Sequence, residues 1–203
     1  MLKPHILILM ILSLAFIVPG YSQEKAEDVL KALQDKFNSI NDLQADISQS
    51  TDGKQNLIGK LLYKKENKLR FELKNHLIIS NGTTSWNYSK KENKVIISSV
   101  DEESEGIFSV KKLIYEYPSQ CELSLEDEGG QKILTLVPSS TSLSFNYLKL
   151  YVNSDNLISK VLLSEGAGSL SLVNISDYVL NKNIPDSKFS FTSPEGCKVI
   201  DLR

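Results

Sequence analysis

Few residues in this 203-residue chain have the type and spacing that chemistry demands. The two cysteines, Cys121 and Cys197, are too far apart for a C-x-x-C redox pair. In an oxidising compartment they could be bridged, and the sequence leaves a disulfide and two free thiols equally open. His76 is the one histidine remaining once an N-terminal leader carrying His5 is removed. Neither cysteine has a neighbouring histidine to activate a thiolate. The run Asp101 to Glu105 (DEESE) offers carboxylates to a hard cation, but such sites interleave their ligands around a glycine turn, so the run reads as a solvated loop. No G-x-S-x-G elbow, H-E-x-x-H, phosphate loop or G-x-G-x-x-G is present. Asn81, Asn87 and Asn174 begin Asn-x-Ser/Thr triplets, which matter only in a host that glycosylates them. The chain therefore reads as a non-enzyme with no cofactor and no metal site. A net charge of −2 and no evident basic patch argue against nucleic acid as a partner.

With catalysis set aside, the elements themselves carry the information. Residues 59–88 form a meander of short strands. Leu61 and Tyr63 alternate with polar neighbours, as do Leu69, Phe71 and Leu73, then Leu77 and Ile79, then Trp86 and Tyr88, the period-two pattern of strands with one apolar face. Lys65-Glu66-Asn67 and Asn81-Gly82 supply the turns, the latter because both residues tolerate φ > 0. Ahead of this meander lies a helix over 24–40, with Ala26, Val29, Leu30, Leu33, Phe37 and Ile40 on one stripe. A second helix is predicted over 107–117, with Val110, Leu113, Ile114 and Tyr117 on one side and Pro118 ending it. The remainder alternates as strands to the C-terminus, giving ten or eleven in all. At the N-terminus, Lys3 followed by the apolar run Ile6 to Val18, with small residues Gly20 and Ser22, predicts a signal peptide over 1–22. The mature domain is then 23–203, soluble and outside the cytoplasm.

A sheet with one apolar face must bury that face on something. Two helices cannot cover so many strands edge to edge. Either a closed barrel packs its own interior, or a curved sheet leaves a concave apolar cavity under a helical lid.

The blocks GKLLYKKENKLRFEL and LIISNGTTSWNY, with the ending FSFTSPEGCKVIDLR, resemble the LolA family of periplasmic lipoprotein carriers. The resemblance spans essentially all of 23–203. It implies a mainly β (α+β) single domain, an unclosed antiparallel β-barrel with an apolar cavity lidded by helices. It implies a periplasmic carrier that takes acylated lipoproteins from an inner-membrane lipoprotein-releasing ABC transporter to an outer-membrane acceptor, either a lipoprotein or the membrane itself, and works as a monomer. The acyl-chain site it implies comprises Leu69, Phe71, Leu73, Ile79, Trp86 and Tyr88, with Leu113 and Ile114 on the lid. The family's transfer-related basic residue falls on Lys65, a Lys where Arg is usual, and the Pro that follows is Glu66 here. Cys121 and Cys197 lie outside the family pattern. A carrier of another lipid, or an envelope sensor or interaction module of the same fold, is the alternative.

Overall fold

In the computed structural model, residues 25–100, 110–166 and 168–203 are described. The proposed signal peptide over 1–22, the acidic run 101–105 and the first residues of both predicted helices lie outside them. Helix α1 is Ala26–Ser39. Its acidic first turn, Glu27 and Asp28, and its Lys36 in the last turn suit the helix macrodipole. It ends where Ile40 turns extended and its N–H reaches the Phe37 carbonyl at 3.1 Å.

Twelve strands follow: β1 Asp42–Thr51, β2 Lys54–Lys64, β3 Lys68–Leu73, β4 His76–Asn81, β5 Thr84–Ser89, β6 Lys94–Ser99, β7 Cys121–Glu128, β8 Gln131–Pro138, β9 Phe145–Val152, β10 Ile158–Glu165, β11 Ser169–Leu180 and β12 Lys198–Asp201. All join one sheet, ordered β12-β6-β5-β4-β3-β2-β1-β11-β10-β9-β8-β7. The sheet is unclosed, with β12 and β7 at its two edges. Every neighbouring pair is antiparallel except β12 against β6, which is parallel, a departure from the all-antiparallel expectation. The parallel pair arises because the chain, on leaving β11, crosses β1 to β6 before it enters β12 in the direction of β6.

Over its described residues the second predicted helix is less regular than its periodicity suggested. Residues 110–120 coil through a π-type turn, Lys112–Glu116, and a 3-10 turn, Pro118–Gln120. The wide turn points Leu113 and Ile114 inward together, and both are buried.

Candidate functional site

The main apolar core lies on one face of the sheet, which we term the concave face. Leu43, Ala45 and Ile47 of β1, Leu61 of β2, Phe71 of β3, Leu134 and Leu136 of β8, Leu148 and Leu150 of β9, and Val161 and Leu163 of β10 meet there. α1 lies over β7 and β8 with Ala26, Val29 and Leu33 turned into this core, and the 110–120 segment packs beside it. Under this cover Leu134, Leu136, Leu148 and Leu150 are fully shielded from solvent. Towards β2, β3 and β4 the cover thins: Leu57, Tyr63, Leu69, Leu73 and Ile78 are only partly buried.

The two covering segments are tied to each other. Gln34 Nε2 donates to the Ile114 carbonyl at 2.7 Å, and the Tyr115 hydroxyl donates to Asn38 Oδ1 at 2.8 Å. α1 is also held from the sheet. Phe37 stacks at a tilt on Tyr63, with ring centroids 5.4 Å apart. The Lys65 ammonium donates to the Asn38 carbonyl at 3.0 Å. That carbonyl is among the last four of the helix, which have no partner within it, and a cation there also suits the negative end of the macrodipole. The Lys65 backbone N–H donates to the Asn41 carbonyl at 2.9 Å, so the β2–β3 turn grips the end of α1 twice.

The eight predicted contact residues do not form one surface. Residues directly opposite in an antiparallel pair share a face, and one step of register exchanges the faces. Phe71 pairs with Ile78 and Arg70 with Ile79. Ile79 in turn pairs with Trp86, Leu77 with Tyr88, and Trp86 with Ile97. Leu69, Phe71 and Leu73 therefore face the concave core, where Leu113 and Ile114 also lie, whereas Ile79, Trp86 and Tyr88 face outward. There they meet a second, smaller core under the C-terminal arm, residues 181–203. Ile79, Val95 and Phe189 are buried outside the main core, and the Tyr88 ring lies 5.3 Å from Phe191. Ile78, absent from the predicted set, takes the concave place assigned to Ile79. The signal was present in the uninterrupted Leu77-Ile78-Ile79 run, which is what burial on both faces demands.

Asp42 fixes the departure of the arm. Its buried carboxylate accepts the Lys182 N–H at 2.9 Å and the Asn183 N–H at 3.0 Å. Further along, Lys64 pairs with Asp186 at 2.6 Å and Lys68 with Asp186 at 3.5 Å. Lys64 above all, then Lys68, holds the Asp186 carboxyl below its ordinary value.

Cys121 opens the edge strand β7 and Cys197 precedes the opposite edge strand β12, and both are free thiols. The disulfide alternative is not realised: the two lie at opposite margins of an open sheet. Burial pushes the Cys121 thiol up, the wrong direction for a nucleophile. Among the described residues no three His, Cys, Asp or Glu side chains assemble as a metal site. A cleft of about 530 Å³ opens at the β8–β9 loop, lined by Ser139, Ser140, Thr141, Leu143 and Phe145 among others. It holds no acid or base to drive a reaction and lies away from Leu69, Phe71 and Leu73. Among the described residues no helix is long and apolar enough to cross a membrane.

Residues 38–192 match the model of a family described as outer membrane lipoprotein carrier protein LolA. An outer-membrane lipoprotein carrier protein of Azotobacter vinelandii is 22% identical over 201 residues, covering 95% of this chain and 97% of that protein. An uncharacterised protein of Methanocaldococcus jannaschii is 24% identical over 209 residues, 94% of this chain, and the chain spans 60% of that relative's length. Among solved structures, an uncharacterised conserved protein from Thermus thermophilus has the same fold, with a TM-score of 0.59 at 15% identity, covering 87% of this chain and 98% of the other.

Proposed function

Because the chain belongs to the LolA family of outer membrane lipoprotein carrier proteins, we propose that it carries the acyl chains of lipoproteins on its concave face. The observation that carries this reading is the unequal cover of that face. The core residues of β8 to β10, next to α1 and the 110–120 segment, are buried, while Leu69, Leu73 and Ile78, beside Phe71, are only partly buried. An acyl chain enters over these residues and displaces Leu113, Ile114 and α1 from the face beyond them. Each buried methylene contributes about 0.8 kcal/mol, so full burial of one 16-carbon chain amounts to roughly 12 kcal/mol. Cargo held that tightly would not be handed on. A cover that fills its own groove when empty competes with the cargo and lowers the net affinity to one compatible with release. Lys65, reaching the end of α1 from the β2–β3 turn, is the latch of this cover.

In the cell, the leader over 1–22 directs the protein to the periplasm. It receives lipoproteins from an inner-membrane lipoprotein-releasing ABC transporter and delivers them, as a monomer, to an outer-membrane acceptor. Mass spectrometry of species that co-purify with the protein tests this. Acylated lipoproteins, together with loss of amide protection in α1 and residues 110–120 on loading, are expected. A bound lipid of another class, or unchanged protection in both segments, overturns the reading.

A further inference from the structure

The near-balanced total charge conceals a strong segregation. Residues 54–100, strands β2 to β6, contain ten Lys and Arg against three Asp and Glu, whereas residues 110–180, which supply β7 to β11, contain five against eight. In the sheet order these groups occupy opposite sides of β1. Within the basic side, one end is distinctive. The β3–β4 turn brings Lys74, the β5–β6 turn brings Lys90 and Lys91, and the start of β12 brings Lys198, all exposed. Backbone contacts lock the three segments together. The Lys90 N–H donates to the Asn75 carbonyl at 2.8 Å, the Lys198 N–H donates to the Asn93 carbonyl at 2.9 Å, and Asn93 Nδ2 donates to the Glu195 carbonyl at 3.2 Å. The adjoining carboxylates Glu92 and Glu72 are paired with Lys94 and Arg70. Among the described residues Lys74, Lys91 and Lys198 form no ion pair.

We propose that this end of the sheet docks on an anionic phospholipid bilayer. A platform of lysines is suited to a diffuse negative surface: Lys74, Lys91 and Lys198 are mobile point charges, Lys90 Nζ is held by the Leu73 carbonyl at 2.8 Å, and none of the four offers the planar arginine fork that reads one partner's carboxylate. Val199, half exposed beside Lys198, adds an apolar contact at the headgroup boundary. The acidic side is repelled by the same surface, so the charge asymmetry turns the molecule as well as attracting it. The docking is independent of what the concave face carries.

Flotation of the purified full chain with phosphatidylglycerol vesicles and with phosphatidylcholine vesicles tests it. Since the N-terminal apolar run is common to all variants, the informative quantity is the preference for anionic vesicles. That preference is expected to fall about fivefold per lysine removed, so roughly a hundredfold in the triple variant Lys74→Gln/Lys91→Gln/Lys198→Gln, and to weaken as salt shortens the screening length. Lys31→Gln on α1 should leave it unchanged. All four sites are exposed, and circular dichroism would register any loss of fold. Equal binding to both vesicle types, an undiminished triple variant, or capture by duplex DNA in preference to anionic vesicles overturns the proposal.

Discussion

Glu66 occupies the left-handed region at φ +70°, next to Asn67 at φ +56°. Asparagine tolerates that region, but glutamate does not gain from it. Glu66→Gly is therefore expected to be neutral or to stabilise by up to about 1 kcal/mol, and Glu66→Pro, whose ring fixes φ near −65°, to destabilise by more than that in a denaturant titration. The same conformation excludes the proline that the family resemblance leads one to expect at this position, because a proline ring cannot reach φ +70°. Gly82 answers the same turn from the neighbouring β4–β5 turn, because a Cβ there would collide with the Glu66 carbonyl. Asn81 contributes in a different way from the expected φ > 0. Its side-chain oxygen accepts the N–H groups of Thr83 and Thr84, at 3.0 and 2.8 Å. Asp42 is the more costly residue to lose. Asp42→Ala would leave two amides without their acceptor inside the protein, and is expected to cost about 2–4 kcal/mol in the same titration.

Among the elements, the C-terminal arm was the least legible in the sequence, and the reason is geometric. Alternation within a strand shows which residues share a face of that strand, as it did for Leu69, Phe71 and Leu73. It carries no information on how two strands are phased, so Phe71 and Trp86 could be grouped although register sets them on opposite faces. Phe189 and Phe191 could have raised the question, since two aromatics near a chain end need a surface to cover. Trp86, the single tryptophan, consequently reports on the arm. Phe189→Ala is expected to cost about 3–5 kcal/mol and to shift Trp86 emission to the red, whereas acyl-chain loading leaves that emission in place. Acid should loosen the same arm. The folded Asp186 carboxyl titrates below its ordinary 3.8 because of Lys64 and Lys68, so its contribution is complete above 3.8 and is lost as the pH falls through the lower folded value. The carboxyl is largely exposed, so the effect is small and salt-sensitive. An emission shift below pH 3.8 that is reduced in Asp186→Asn would bear this out, and an identical shift in both proteins would exclude it.

At the scale of the molecule, the ratio of strand to helix could be read without any coordinates, and it sets the functional problem. Among the described residues, twelve strands present an apolar face over which one 14-residue helix and the 110–120 coil lie, and they leave residues such as Leu69 and Leu73 partly exposed. What could not be read was the burial of the core over β8 to β10, beside the strands that α1 crosses, β7 and β8. That burial makes stability and affinity oppose each other. Contacts between α1 and the core stabilise the empty protein, and if cargo displaces α1 those contacts are absent from the loaded one. Leu33→Ala removes a buried side chain from this interface and should cost the empty state about 2–5 kcal/mol. The part of that cost absent from the loaded state reappears as affinity, at about tenfold for each 1.4 kcal/mol. Leu33→Ala is thus expected to melt earlier and yet bind a fluorescent fatty acid at least about tenfold more tightly. Phe71→Ala is expected to melt earlier and bind more weakly, because Phe71 belongs to the floor in both states. If both variants lose affinity together, α1 is part of the binding surface and does not compete for it.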